Sequence, residues 1–228
     1  IKKIYLTASG GPFLNIEKKK LRKIKPSDAL KHPKWKMGKK ISIDSATLMN
    51  KILEFVEAQK LFNIPQKKLG IIIHPNSLVH AIAELNNGIT KLIYHETSML
   101  IPLANAIFED KLIIEDFYKT NIKKSFNNLI FQSVKSDVFP IFKIIKKINK
   151  YSSAPIIINA SNEILVDQFL RKKIPFLAII SIIMDILNDR NYKKYAIKKP
   201  KNLNQIFKID SWAKNLTLIK IKKKYEKN

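Results

Sequence analysis

The sequence predicts an α/β (α+β) chain with a mixed sheet, followed by an all-helical bundle. Two observations carry that expectation. Up to about residue 115, short β-type runs and an Asn-Asn-Gly turn alternate with helical stretches; beyond residue 137 apolar residues recur only at helical spacing. A polar, irregular interval separates the two patterns, so the expected domains are 1–115 and 137–228, with 116–136 as a linker.

The elements follow in order. Ile4, Tyr5 and Leu6 read as a short buried strand running into Thr-Ala-Ser-Gly-Gly-Pro, where glycines permit a sharp turn and close backbone approach. Ile16 to Leu30 is charged and reads as loop, with a short helix beginning near Pro26. Residues 31–40 form a His-Pro-x-Trp-x-Met-Gly loop, and Ser45 to Phe62 a helix whose Met49, Ile52, Leu53 and Val56 face the core. Leu69 to Ile73 is a compact β-run, and Leu78 to Leu85 and Ile89 to Tyr94 flank Asn86-Asn87-Gly88 as a hairpin. Met99 to Phe108 is helical, with Pro102 tolerated in the first turn. Four helical stretches complete the chain: Val138 to Ile148, Ile157 to Leu170, Pro175 to Leu187 and Leu203 to Lys224.

Composition narrows the possibilities. With 228 residues, 46% of them hydrophobic, the chain can bury a substantial core. The absence of cysteine excludes a disulfide scaffold and thiolate-bound metal, and fits a reducing cytoplasm. The longest apolar run, Phe176 to Met184, is about half the ~20 residues that a membrane-spanning helix needs. A net charge of +25 raises the alternative of a basic nucleic-acid-binding module. Against it, lysines are scattered through every segment without interleaved aromatics, so neither a nucleic-acid nor a membrane partner is expected. A positive field of this kind still attracts small phosphorylated molecules.

The helix after residue 44 carries the most chemistry. Asn50 and Glu54 stand four apart and Lys51 and Glu54 three apart, so an amide, an ammonium and a carboxylate share one face. Asp44 or Ser45 can cap the helix start, where free N–H groups favour an anion. That set suits a phosphate, with Glu54 left to hold a metal or move a proton. The plainer reading is a solvent-facing Lys–Glu pair contributing a few tenths of a kcal/mol. Ser9 adds a hydroxyl at a strand end, where ligands of α/β sheets collect.

Several long words occur together: TASGGPF, then HPKWKMGKKISIDSATLMNKILEFVEA, then IIIHPNSLVHA, with NASNEILVDQFL near residue 159 and KIPFLAI near residue 173. In this order and spacing the sequence resembles the 1-deoxy-D-xylulose 5-phosphate reductoisomerase family over nearly its whole length. The resemblance implies an NADP-dependent oxidoreductase of non-mevalonate isoprenoid biosynthesis. Such an enzyme isomerises and reduces 1-deoxy-D-xylulose 5-phosphate to 2-C-methyl-D-erythritol 4-phosphate with NADPH and Mg²⁺ or Mn²⁺. It also implies a homodimer in the cytoplasm.

Residue by residue, the resemblance implies substrate or phosphate contacts at Ser9, Ser45, Asn50 and Lys51. His32 corresponds to a loop histidine closing over the substrate, and Trp35 and Met37 to that loop's apolar cover. Gly38 corresponds to a backbone approach to the nicotinamide cofactor, His80 to a histidine lining the active site, and Glu54 to a metal ligand. Catalytic roles fall on Glu54, His32 and Lys51. The family pattern places a dinucleotide-binding domain and an Asp-Ser-Glu segment with two further metal carboxylates ahead of the first strand. The chain is therefore expected to supply the catalytic and C-terminal portions and to be inactive by itself. His74 and His95 receive no role; His95 stands where the family usually has glycine, and Asn159 to Glu163 reads as packing and capping. A sugar-phosphate-binding protein without catalysis is the remaining alternative.

Overall fold

In the computed structural model, which describes residues 1–35, 37–108, 113–116, 129–134, 139–148 and 150–226, four strands and a series of helices follow one another. The strands are β1 (Lys3–Ala8), β2 (Leu69–Ile73), β3 (Val79–Glu84) and β4 (Thr90–Tyr94). The helices are α1 (Pro26–Ala29), α2 (Lys39–Thr47), α3 (Met49–Leu61), α4 (Leu100–Phe108), α5 (Ile145–Ile148), α6 (Ala154–Leu170), α7 (Phe176–Leu187), α8 (Tyr192–Ala196) and α9 (Leu203–Tyr225). The chain is α/β, with the mixed sheet and the helical region that the patterning predicts. Most of the expected linker over 116–136, and Val138, lie outside the described residues.

Chain contacts define two compact units that interleave along the sequence. The first comprises residues 1–10, 34–36 and 58–134, the second 11–33, 37–57 and 135–228. In the first unit the sheet has strand order β2-β1-β3-β4. β1 runs parallel to β2, with Ile4 opposite Leu69 and Ala8 opposite Ile73, and antiparallel to β3. The β3–β4 hairpin closes as expected at Asn87-Gly88: Gly88 has φ +87°, and the Asn87 carboxamide oxygen accepts the Ile89 N–H at 3.1 Å. The Thr7 hydroxyl donates to the Val79 carbonyl at 2.6 Å, tying β1 to the start of β3. His74 is fully buried; its Nδ1 donates to the Ile130 carbonyl at 2.8 Å, and its ring stacks on Phe131 at 4.8 Å. It anchors backbone.

The second unit is built around α6. Ile157, Ile158, Leu165, Val166 and Phe169 are buried along it, and α7 and α9 pack against it. α7 is apolar on nearly every face, which a helix at the centre of a core requires. Among the described residues no helix is long and apolar enough to cross a membrane. α9 starts where Asn202 accepts the Gln205 N–H at 3.0 Å, an Asn cap. Part of the stretch expected as a helix before Ile148 is 3₁₀, from Pro140 to Ile144.

The helix expected to begin at Ser45 instead begins at Lys39, behind Gly38 in extended conformation. Lys-Lys-Ile-Ser-Ile-Asp-Ser-Ala-Thr contains no breaker, and the Ser42 hydroxyl donates back to the Gly38 carbonyl at 3.0 Å. Neither Asp44 nor Ser45 is a cap, because both lie inside α2 and are buried. The true interruption is Leu48, held left-handed at φ 61° between α2 and α3. Thr47 makes it possible. Its hydroxyl lies 3.2 Å from the carbonyls of Ile43 and Asp44 and accepts the Met49 N–H at 3.3 Å, serving both helix ends.

Candidate functional site

Because α3 restarts at Met49, Asn50, Leu53, Glu54 and Glu57 fall at intervals of three and four and form one stripe. This stripe and the first turns of α2 wall a cavity of about 650 Å³ within the second unit. Gly38, Lys39, Lys40, Ile41 and Asp44 complete its lining. Two lysines, three carboxylates and an amide thus line a space large enough for a small phosphorylated sugar.

Two ion pairs hold charged groups here. The Lys51 ammonium lies 2.7 Å from the Glu54 carboxylate, with Lys51 only 17% exposed and Glu54 40%. The pair that the plainer reading expects does form, with the Lys51 side chain mostly covered and the Glu54 side chain open to solvent. Asp44, at 4% exposure, accepts from Lys40 at 2.7 Å on one oxygen and from the Asn162 amide at 2.7 Å on the other. The Asn159 to Glu163 segment thus contributes a buried amide that locks a carboxylate of α2. Asn50 differs from these groups. Its side-chain oxygen is buried with no hydrogen-bond partner among the described residues, an acceptor whose burial is costly until something binds it.

The predicted site residues separate into groups. Gly38, Asn50 and Glu54 line the one cavity, with Lys51 tied to Glu54. Ser45 is buried in the last turn of α2 and does not line it; its carbonyl lies where a Cβ on Gly11 would fall, at 2.6 Å. His32 and Met37 belong to the same unit, and burial lowers the pKa of His32 below its ordinary value. Ser9, Trp35 and His80 belong to the first unit. There the Trp35 ring meets the His80 ring edge-on at 6.2 Å, and His80 stacks on His95 at 3.5 Å.

The sequence reading missed Lys39, Lys40 and Glu57 as lining residues and Asn162 as a clamp. Glu57 was within reach, three residues beyond Glu54 on the same stripe. The lysines were not, because the start of α2 was placed six residues too late.

A hard divalent cation takes oxygen ligands, and Glu54 and the unpartnered Asn50 oxygen are donors of that kind. Among the described residues no three His, Cys, Asp or Glu side chains are grouped to hold a metal. The donors present therefore fit part of a Mg²⁺ or Mn²⁺ shell.

Comparison with known proteins places the chain among relatives. The family model for the 1-deoxy-D-xylulose 5-phosphate reductoisomerase C-terminal domain matches residues 1–62, and that for the DXP reductoisomerase C-terminal domain matches residues 95–216. A 1-deoxy-D-xylulose 5-phosphate reductoisomerase of Pelagibacter ubique is 44% identical over 92% of this chain and 54% of its own length. One of Treponema denticola is 38% identical over 97% of the chain and 57% of its own length. A crystal structure of DOX-P reductoisomerase in complex with NADPH, fosmidomycin and magnesium superposes with a TM-score of 0.90 at 33% identity, covering 97% of this chain and 55% of that one. The Zymomonas mobilis enzyme in complex with NADPH gives 0.86 at 32% identity, covering 97% and 56%. The chain spans about half the length of the curated relatives it matches. By these matches, it belongs to the 1-deoxy-D-xylulose 5-phosphate reductoisomerase family.

Proposed function

We propose that this chain carries the sugar-phosphate-binding catalytic part and the C-terminal helical bundle of a 1-deoxy-D-xylulose 5-phosphate reductoisomerase. The whole protein rearranges the carbon skeleton of that sugar phosphate and reduces the resulting aldehyde with hydride from NADPH, giving 2-C-methyl-D-erythritol 4-phosphate. The supporting observation is the α2–α3 cavity, lined by the unpartnered Asn50 oxygen and by Glu54, whose carboxylate holds Lys51.

Each residue has a role in this reading. Lys51 and Asn50, with Ser45 and Ser9, bind the phosphate and sugar oxygens; an ammonium and neutral donors suffice for a phosphate without a glycine-rich loop. A phosphate bound by Lys51 competes with Glu54 for its ammonium and frees the carboxylate. His32, whose pKa burial lowers, closes over the substrate with Trp35 and Met37, which exclude water. Gly38 offers backbone to the nicotinamide, and His80 contacts the sugar. Glu54 holds the Mg²⁺ or Mn²⁺, which when bound polarises a substrate carbonyl. Its remaining ligands, and most of the NADPH site, come from the rest of the whole protein. The linear division at 115 and 137 is the domain boundary of the same proposal.

In the full-length enzyme, Glu54→Gln is expected to lower kcat by at least about a hundredfold while circular dichroism stays unchanged. Near-normal turnover would exclude Glu54 as the metal ligand. The enzyme acts in the cytoplasm, which a cysteine-free chain suits, and as a homodimer. Supporting the dimer, β4 is an edge strand with Leu92 and Ile93 exposed, and Leu103, Ile107 and Phe108 of α4 are exposed as well. Replacing Leu92 and Ile93 together by lysine should halve the mass measured by light scattering; an unchanged mass would remove this surface from the interface.

A further inference from the structure

We infer that a second cavity, within the helical bundle, is a binding site for a small polyanion carrying phosphoryl groups. It shares no lining residue with the α2–α3 cavity, and the inference does not depend on the reaction proposed above.

The cavity has a volume of about 410 Å³. Lys147 of α5, Lys150, Arg190 of the turn between α7 and α8, and Lys193 of α8 line it. A chain this rich in lysine scatters cations over its surface, so their number alone decides nothing. The charge balance does. Among the described residues none of the four forms a salt bridge, and Lys147 donates to a neutral acceptor, the Asn188 carboxamide oxygen, at 3.1 Å. The carboxylate of the lining, Asp189, is already satisfied. One oxygen takes the ammonium of Lys220, a residue outside the lining, at 3.0 Å, and the other accepts the Asn191 N–H at 3.0 Å. Like charges around one space repel, and an anion placed among them turns that repulsion into attraction.

Tyr192 is the independent observation. It lines the same cavity, is only 6% exposed, and its hydroxyl is buried with no hydrogen-bond partner among the described residues. Such a group is costly to bury, and a ligand that accepts from it removes the cost. Burial, and after it the neighbouring Tyr151, push its pKa up to about 12, so the hydroxyl keeps its proton and stays a donor. The Lys150 ammonium lies over the Tyr151 ring at 5.6 Å, within cation–π range, which holds that charge beside the cavity. A hydroxyl, a guanidinium fork and ammonium groups all donate, and phosphoryl oxygens accept from each. Four cations exceed the charge of a single phosphate, about −2 at most, which favours a ligand with more than one phosphoryl group.

Tripolyphosphate is the probe, titrated calorimetrically into this chain in metal-free buffer at fixed ionic strength. Saturable binding is expected. Arg190→Gln combined with Lys193→Gln should weaken it at least about tenfold, and Tyr192→Phe, which removes only the hydroxyl, about fivefold. Lys222→Gln combined with Lys223→Gln removes the same charge from the exposed last turn of α9 and should change the affinity less than about twofold. Lys51→Gln, on the catalytic helix, should leave it unchanged. Unaltered circular dichroism in each variant keeps folding out of the comparison. The site is overturned by absence of saturable binding, or by wild-type affinity in Arg190→Gln/Lys193→Gln or in Tyr192→Phe. Equal losses in the two double variants would reduce the effect to the general positive field, and a loss confined to Lys51→Gln would move the probe to the catalytic helix; either also overturns it.

Discussion

Lysine and glutamate three residues apart are ordinary on a helix, and an exposed pair of that spacing adds little to stability. Lys51 departs from that pattern because only 17% of its side chain meets water, a property its neighbours in space confer and its neighbours in sequence do not. That Asn50 and Glu54 share a face was legible from spacing alone. That Asn50 keeps an unpartnered oxygen, and that Ser45 turns into the packing against Gly11, depended on residues distant in the chain. His32 makes the point through titration. Burial lowers its pKa below the ordinary 6.5, so around that pH the unfolded chain binds more protons than the folded one. Stability is therefore unaffected well above pH 6.5, falls as pH drops through 6.5, and levels off below the folded value. Denaturant unfolding between pH 8 and 5 should show a steeper loss in the wild-type chain than in His32→Gln; equal slopes would show that His32 is not desolvated.

At the scale of elements, α2 and α3 are the instructive case. Nothing between Lys39 and Leu61 breaks a helix by composition, yet Leu48 adopts the left-handed region at a cost of about 1–2 kcal/mol. Its side chain is 1% exposed, so packing offsets the strain, and the Thr47 hydroxyl supplies the hydrogen bonds that the break would forfeit. A sequence reading has no access to that balance and merges the helices. Gly11 is the counterpart on the facing turn, with φ +63° and its α-hydrogen against the Ser45 carbonyl. Gly11→Ala should destabilise by about 2 kcal/mol or more, since both backbone strain and overpacking act there. Gly88→Ala, at φ +87° with open space around it, carries the strain alone and should cost about 1 kcal/mol. Thermal melts giving the two variants equal losses would contradict the close approach of the Gly11 turn to α2.

For the whole molecule, the two compact units share α3, whose first nine residues fall in one and last four in the other. The chain by itself is expected to give no NADPH oxidation with 1-deoxy-D-xylulose 5-phosphate, while the full-length enzyme does; steady oxidation by the 228 residues would overturn the proposed division of labour. The charge of +25 is spread among helices and strands alike, and the family assignment leaves no need for a nucleic-acid partner to account for it. From the sequence alone came the mixed sheet with its Asn-Asn-Gly hairpin, the later helices, and the spacing of Asn50 and Glu54. Those depend on local periodicity and turn chemistry, which a few neighbouring residues determine. Tertiary structure alone decided where α2 begins, why Leu48 bends, which carboxylate Asn162 holds and how His95 stacks on His80. The Asn162–Asp44 bond joins residues far apart in the chain, and the packing that offsets the Leu48 strain likewise exists only once the chain has closed upon itself.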